Sequence, residues 1–204
     1  MTAFRVLVMV FVAEGAAFIL GAQSPQLPAQ RDPKTNPEVS PYKNPHINPM
    51  SNRDLNPMAN LEINPTKNLQ INPTKNLQIN PRTNPRIDPV RNQEINPTKN
   101  PQIDPNRNPQ ADPRNGRGGA IGTGRGYLVF DRAENCVGIA VTAGEGVLLL
   151  FDARGEWSGY LVPNGSGGYN EFTLEGEWVA FASPNSRGGY NVFSLGGGWT
   201  AFFT

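Results

Sequence analysis

From Asp32 to Asp112 every fourth residue is Asn or Asp, with Ser40 as the single substitute. Proline usually follows, and sixteen of the chain's twenty prolines lie between residues 31 and 119. This spacing forbids a long helix or a central strand, because each proline removes a backbone donor and fixes φ. Asn at the first turn position bonds back to the backbone, and Pro at the second pre-sets φ, so Asn-Pro-x-x favours a type I turn. An apolar residue recurs every eight positions, at Ile47, Leu55, Ile63, Ile71, Ile79, Ile87, Ile95 and Ile103. The octapeptide at residues 64–71 is repeated without change at 72–79, which points to recent duplication. Two forms fit this pattern. One is a thin solenoid of stacked turns with one Ile per coil facing inward. The other is a semi-stiff spacer, since one Ile in eight offsets little of an ordering cost of ~1–2 kcal/mol per residue. The energy balance favours the spacer, so residues 23–119 are expected to be an extended or disordered arm.

The first 22 residues predict a signal peptide. Arg5 precedes the apolar run Val6 to Ala13, and small residues close the segment at Gly21-Ala22, the preferred cleavage point. Glu14 interrupts the run and argues against a permanent span, because a mid-bilayer carboxylate costs ~2.5–3.5 kcal/mol on insertion scales. Export to the outside or the cell envelope is therefore expected, with an uncleaved N-terminal anchor as the alternative. Arg114 to Gly126 reads as a Gly/Arg hinge. Its glycines lack the spacing, the lysine and the strand–helix setting of a phosphate-cradling loop.

After the hinge a different period takes over. Phe130, Phe151, Phe172 and Phe193 are each 21 apart, as are Cys136, Trp157, Trp178 and Trp199. The same step relates Gly138, Gly159, Ala180 and Ala201, and also Ile139, Tyr160, Phe181 and Phe202. Tyr127, Leu148, Tyr169 and Tyr190 open the copies, and Gly155, Gly176 and Gly197 mark a turn where the first copy has Glu134. Each copy reads as a hairpin, for example Tyr190–Ser194 with Trp199–Phe203. Fourteen of the chain's eighteen aromatics fall in these 78 residues, as a small domain with little core requires. The small column of Gly and Ala predicts close backbone approach near a symmetry axis, and Cys136 is expected to be a small buried hydrophobe. The fold class expected for residues 120–204 is therefore all-β: four 21-residue hairpins in a pseudo-four-fold radial arrangement. The strands are too short for a transmembrane barrel, which needs ~9–11 residues per strand.

Residues 127–204, on these Phe, Gly and Trp columns, resemble the four-fold β-flower family. That resemblance implies a shallow, radially symmetric all-β structure with one hairpin per petal, and it transfers no functional residues. Cys136 and Glu134 depart from the pattern in copy one. Gly155-Glu156-Trp157 and Gly176-Glu177-Trp178 also resemble MORN-type hairpin repeats, a lipid-associated family, but the aromatic columns suit a closed ring better than an open ribbon.

Chemistry is sparse. Cys136 and His46 are the only residues of their types, so no disulfide framework, cysteine zinc site or cofactor is expected. His46 reads as a solvated loop residue. The arm carries 13 Lys/Arg against 8 Asp/Glu over residues 31–119, too thinly spread for nucleic acid. Carboxylates such as Asp131, Asp152, Glu156, Glu175 and Glu177 fall at strand ends and turns, where a glycosidase-like pair has no cleft to flank. A non-catalytic structural or display protein is the expected function. The alternative is a module that binds a lipid headgroup, glycan or peptide through loop residues Asn164, Asn185 and Arg187. Envelope lipid, glycan or protein are the partners these expectations allow.

Overall fold

The computed structural model describes residues 27–115 and 126–204. The expected signal segment and most of the Gly/Arg hinge lie outside the described residues. Eight strands form a closed antiparallel barrel: β1 (Gly126–Asp131), β2 (Cys136–Thr142), β3 (Leu148–Asp152), β4 (Trp157–Pro163), β5 (Tyr169–Phe172), β6 (Trp178–Pro184), β7 (Tyr190–Ser194) and β8 (Trp199–Phe203). Each strand pairs with its sequence neighbour, and β8 returns to β1, where Leu128 and Thr204 exchange N–H···O bonds of 3.0 and 3.1 Å. The pairings β1–β2, β3–β4, β5–β6 and β7–β8 all shift register just before a phenylalanine, at Phe130, Phe151, Phe172 and Phe193. An extra residue at each bulge bends the strand and sharpens its twist, which a small closed barrel needs.

The alternation along the strands separates two apolar faces. Val129, Ala140, Leu148, Leu150, Leu161, Ala182, Val192 and Phe203 fill one side. Tyr190 meets Tyr127 and Tyr169, two strands away on either side, with ring centroids 5.4 and 5.2 Å apart, so this side is the lumen. The other side carries the aromatics: Phe130 stacks on Phe202, Tyr160 on Phe172 and Phe181 on Phe193 at 5.4 to 5.7 Å. Burying both faces is costly in sequence terms, because it leaves no polar alternate on the strand.

The small column lies on the lumen side, where Ala180 and Ala201 pack against the apolar cluster there. A Cβ on Gly138 would stand 2.3 Å from the Phe151 carbonyl oxygen, and one on Gly159 would stand 2.8 Å from that of Phe172. The tight approach is to the neighbouring strand, next to each bulge, where the backbone dips toward its partner.

The outer face is covered by residues 27–115, and here the structure departs from the extended or disordered arm. The segment is a continuous coil of turns with an eight-residue repeat. In each coil one Asn N–H closes on the carbonyl four residues back, as Asn52 does on Asn48 and Asn60 on Asn56. The same Asn donates from Nδ2 to the carbonyl six residues back, as Asn44 does to Glu38 and Asn52 to His46, and this recurs at eight-residue steps to Asn108. Its Oδ1 accepts the N–H two residues on, so every amide and carbonyl oxygen of the side chain works inside the coil. The inward side of a coil is an Ile-Asn-Pro triplet, such as Ile71, Asn72 and Pro73, all buried.

That triplet faces the barrel. Ile87, Ile95 and Ala111 belong to the same apolar cluster as Phe130, Phe151, Tyr160 and Phe172. The spacer expectation counted only what the coil could bury against itself. The physical reason for the difference is the second surface: an aromatic wall supplies the area that one Ile per coil needs.

Contacts show the coil running around the barrel against strand order. Arg31 Nη2 donates to the carbonyls of Gly126 and Thr204 at 2.8 and 2.6 Å, on the β1–β8 seam. Tyr42 then lies 5.6 Å from the ring of Trp199 on β8, and the Ile47 carbonyl accepts from Asn191 on β7. The Ile71 carbonyl accepts from Asn170 on β5, Asn106 donates to Gly155 in the β3–β4 turn, and Pro113–Asn115 packs on β1 and β2. The coil is a collar that returns almost to its starting strand.

Candidate functional site

Two of the three loop residues nominated from sequence, Asn164 and Asn185, are buried turn-makers. Asn164 and Asn185 are 5% and 3% exposed. Asn164 Oδ1 accepts the N–H groups of Ser166 and Gly168 at 2.9 and 3.1 Å. Asn185 Oδ1 accepts those of Arg187 and Gly189 at 3.1 and 3.0 Å. This is the Asx bonding that shapes a loop, and it leaves the side-chain oxygens occupied. Arg187 pairs with Glu38 of the collar at 2.5 Å, both side chains being more than half exposed. The three residues sit on two loops, β4–β5 and β6–β7, and do not converge.

The polar side chains with the most specific placement were not nominated. Asn170 and Asn191 are fully buried on the outer face. Each donates from Nδ2 at 2.9 Å to a collar carbonyl, Ile71 for Asn170 and Ile47 for Asn191. Among the described residues their Oδ1 atoms have no partner, and losing either bond leaves a collar carbonyl unpaired as well. The sequence signal was a column of Leu128, Leu149, Asn170 and Asn191 in which the last two are polar.

Trp157, Trp178 and Trp199 each donate from Nε1 to the carbonyl two residues on, at 2.8 to 2.9 Å. Cys136 takes the same place, with Sγ 3.5 Å from the Gly138 carbonyl. Burial pushes the Cys136 thiol above its usual range, and the charges that act on it are those of Arg114, Asp112 and Asp32. Those residues come from the two ends of the collar. Glu134, the other departure in copy one, adopts φ 60° where its counterparts are glycine, and it accepts a hydrogen bond from Ser40 Oγ. Both irregular residues therefore lie where the collar begins and ends. A tryptophan at 136 would fill the space that the two ends share.

Inside the barrel one side chain breaks the apolar lining. Glu171 occupies the lumen position held elsewhere by Val129, Leu150 and Val192. Enclosure by the barrel pushes its carboxyl up to about 7. It still keeps part of its surface open, because its neighbour Ala180 and the more distant Ala201 leave the lumen incompletely filled. At the other end burial raises the Tyr127 hydroxyl to about 12 and lifts Tyr169 and Tyr190 as well, the rings of Tyr127 and Tyr169 each meeting that of Tyr190 edge to face.

The groups capable of chemistry stay apart. His46 is exposed on the collar, and Glu171 is in the lumen. Asp131 and Asp152 accept turn amides at the foot of the barrel, Asp131 from Ala133 and Asn135 and Asp152 from Arg154 and Glu156. Among the described residues no three His, Cys, Asp or Glu side chains are placed to share a metal ion. No protein-family model, curated protein or solved structure matches this chain.

Proposed function

We propose that this is an exported, non-catalytic structural protein whose collar and barrel form one locked unit, the barrel being a four-petal ring like the β-flower domains it resembles. One observation carries the reading. Met58, Arg82 and Asn106, each 24 residues apart, stand against Gly197, Gly176 and Gly155, each 21 apart. Three collar coils thus accompany one barrel hairpin, petal after petal.

The ion pairs follow the same rule. Glu38 meets Arg187 and, two steps on, Arg86 meets Glu145, with the charges exchanged between collar and barrel. Four petals call for 4 × 24 collar residues, and Leu27 to Asn115 supplies 89 of them. A match of this kind favours a rigid body over a flexible tether, and it turns the expected display arm into part of the displayed head. Binding through the loops of Asn164 and Asn185 draws no support from side chains already occupied by turn amides.

Hydrogen exchange on the intact chain tests this. Collar amides that close the turns, such as those of Asn52, Asn60 and Asn92, should exchange in the same cooperative unit as the barrel strands. Collar exchange within seconds beside a protected barrel would refute it. N-terminal sequencing of protein recovered outside the cell should begin at Gln23 if the leader is removed where expected.

A further inference from the structure

Several coils of the collar carry an exposed apolar side chain, Tyr42, Met50, Met58 and Val90 among them, and on three successive coils the same position does. Leu61, Leu69 and Leu77, spaced eight residues apart, are 55%, 59% and 60% exposed. They occupy one coil position, immediately after Asn60, Asn68 and Asn76, and that position carries Arg53 and Gln93 in other coils. The position therefore accepts polar residues, so the leucines are not needed to make the coil. Each is held on a fixed scaffold, since the preceding Asn donates to the carbonyl six residues back at 2.7 to 2.8 Å. Single exposed leucines are ordinary, but a contiguous row is not.

The same face is basic. Lys67 and Lys75 are exposed and fall between the leucines along the chain, and from residue 57 to 81 the only acidic residue is Glu62. Lys75, Leu69 and Leu77 line one shallow groove beside Gly165 and Ser166 of the β4–β5 loop.

We propose that this leucine–lysine face docks on an anionic lipid bilayer, the leucines entering the headgroup boundary while the lysines meet lipid phosphates. Apolar side chains alternating with ammonium groups on a rigid surface match the layered chemistry of such an interface, where Lys stems lie along apolar surface and their heads stay in the polar zone. Charge decides against a neutral occupant: Glu62 is the only acidic residue along 57–81, and among the described residues neither lysine forms an ion pair. The site is independent of the structural role above, which rests on the inward side of the coils.

Flotation of the full chain with phosphatidylcholine vesicles, alone or with one quarter phosphatidylglycerol, tests the proposal. The chain should float with the anionic vesicles and lose that binding as salt rises. The variant Leu61→Gln/Leu69→Gln/Leu77→Gln copies the residue at Gln93 and should keep its thermal stability, while partition falls more than about tenfold. Lys67→Thr/Lys75→Thr copies Thr83 and should weaken anionic binding by about fivefold per lysine, leaving neutral vesicles unaffected. Equal flotation of the leucine variant overturns the proposal, as does equal binding to neutral and anionic vesicles. So does a wild type that ignores vesicles but forms dimers by light scattering that the leucine variant dissolves, which would assign the face to a second copy of the chain.

Discussion

Deleting Asn72–Ile79 separates a locked collar from a spacer more cleanly than any point substitution. The removed octapeptide is identical to residues 64–71, so every local turn, cap and proline in the shortened chain already exists in the intact one. Only the match to the barrel changes. Upstream anchors such as Ile47 on Asn191 can stay, but Arg82 at Gly176, Arg86 at Glu145 and Asn106 at Gly155 all fall one coil out of step. The collar must either leave a coil-wide gap over the aromatics or misplace everything beyond it. The smaller loss is one inward Ile like Ile71, 1% exposed, worth about 1.5–3 kcal/mol. Losing the part-buried bond from Asn106 Nδ2 to the Gly155 carbonyl, downstream of the cut, costs about 0.5–1.5 kcal/mol more. Together these give about 2–4.5 kcal/mol, or a fall in Tm of roughly 4–18 °C for a chain of this size. Differential scanning calorimetry measures it directly. Adding a third copy should cost far less, because a surplus coil can loop outward at the slow logarithmic cost of loop length. A deletion that leaves Tm within about 2 °C, or that matches the insertion, would refute the reasoning.

Three further perturbations read other parts of the same construction. Asn191→Ala removes the donor to the Ile47 carbonyl and should destabilise the protein by about 1–3 kcal/mol in urea unfolding, with faster proteolysis near Ile47. Cys136→Trp restores the column residue but crowds the collar ends, so it should destabilise by about 1–3 kcal/mol instead of regularising the ring. Glu171 gives a pH signature with a definite sign. Its carboxyl is raised from 4.5 to about 7, so the folded protein holds that proton where the unfolded chain releases it, and stability falls as pH climbs through this window. The loss is about 3 kcal/mol by pH 8, and Glu171→Val, the residue at 129 and 192, should remove it and raise Tm at pH 8 but not at pH 4.

The barrel strands were legible because aromatic columns repeat faster than chance allows. Tyr190–Ser194 and Trp199–Phe203 are strands with the bounds the periodicity predicts. The collar's turns were legible for the same local reason, since Asn at every fourth position bonds within its own coil. What the turns rest on was not legible, because the partner surface lies about a hundred residues away, as with Asn170 and Ile71. A hint was present in strands apolar on both faces, such as Leu148-Leu149-Leu150-Phe151, which no single-layer barrel can bury unaided. The loop residues Asn164 and Asn185 misled because turn-shaping and ligand-binding asparagines look alike in sequence. Glu171 escaped notice because its lumen position is fixed only by alternation along β5.

Arg31 joins two events that could have been separate. Its guanidinium, 7% exposed, spans the carbonyls of Gly126 and Thr204, the strands that shut the cylinder, while its own carbonyl accepts from the Thr204 hydroxyl at 2.8 Å. The hoop and the cask it encircles thus share one joint. Heat or force has a single line of least resistance, and peeling the first coil from that line also loosens the final stave. Unwinding from any other point must first tear an intact, doubly covered wall.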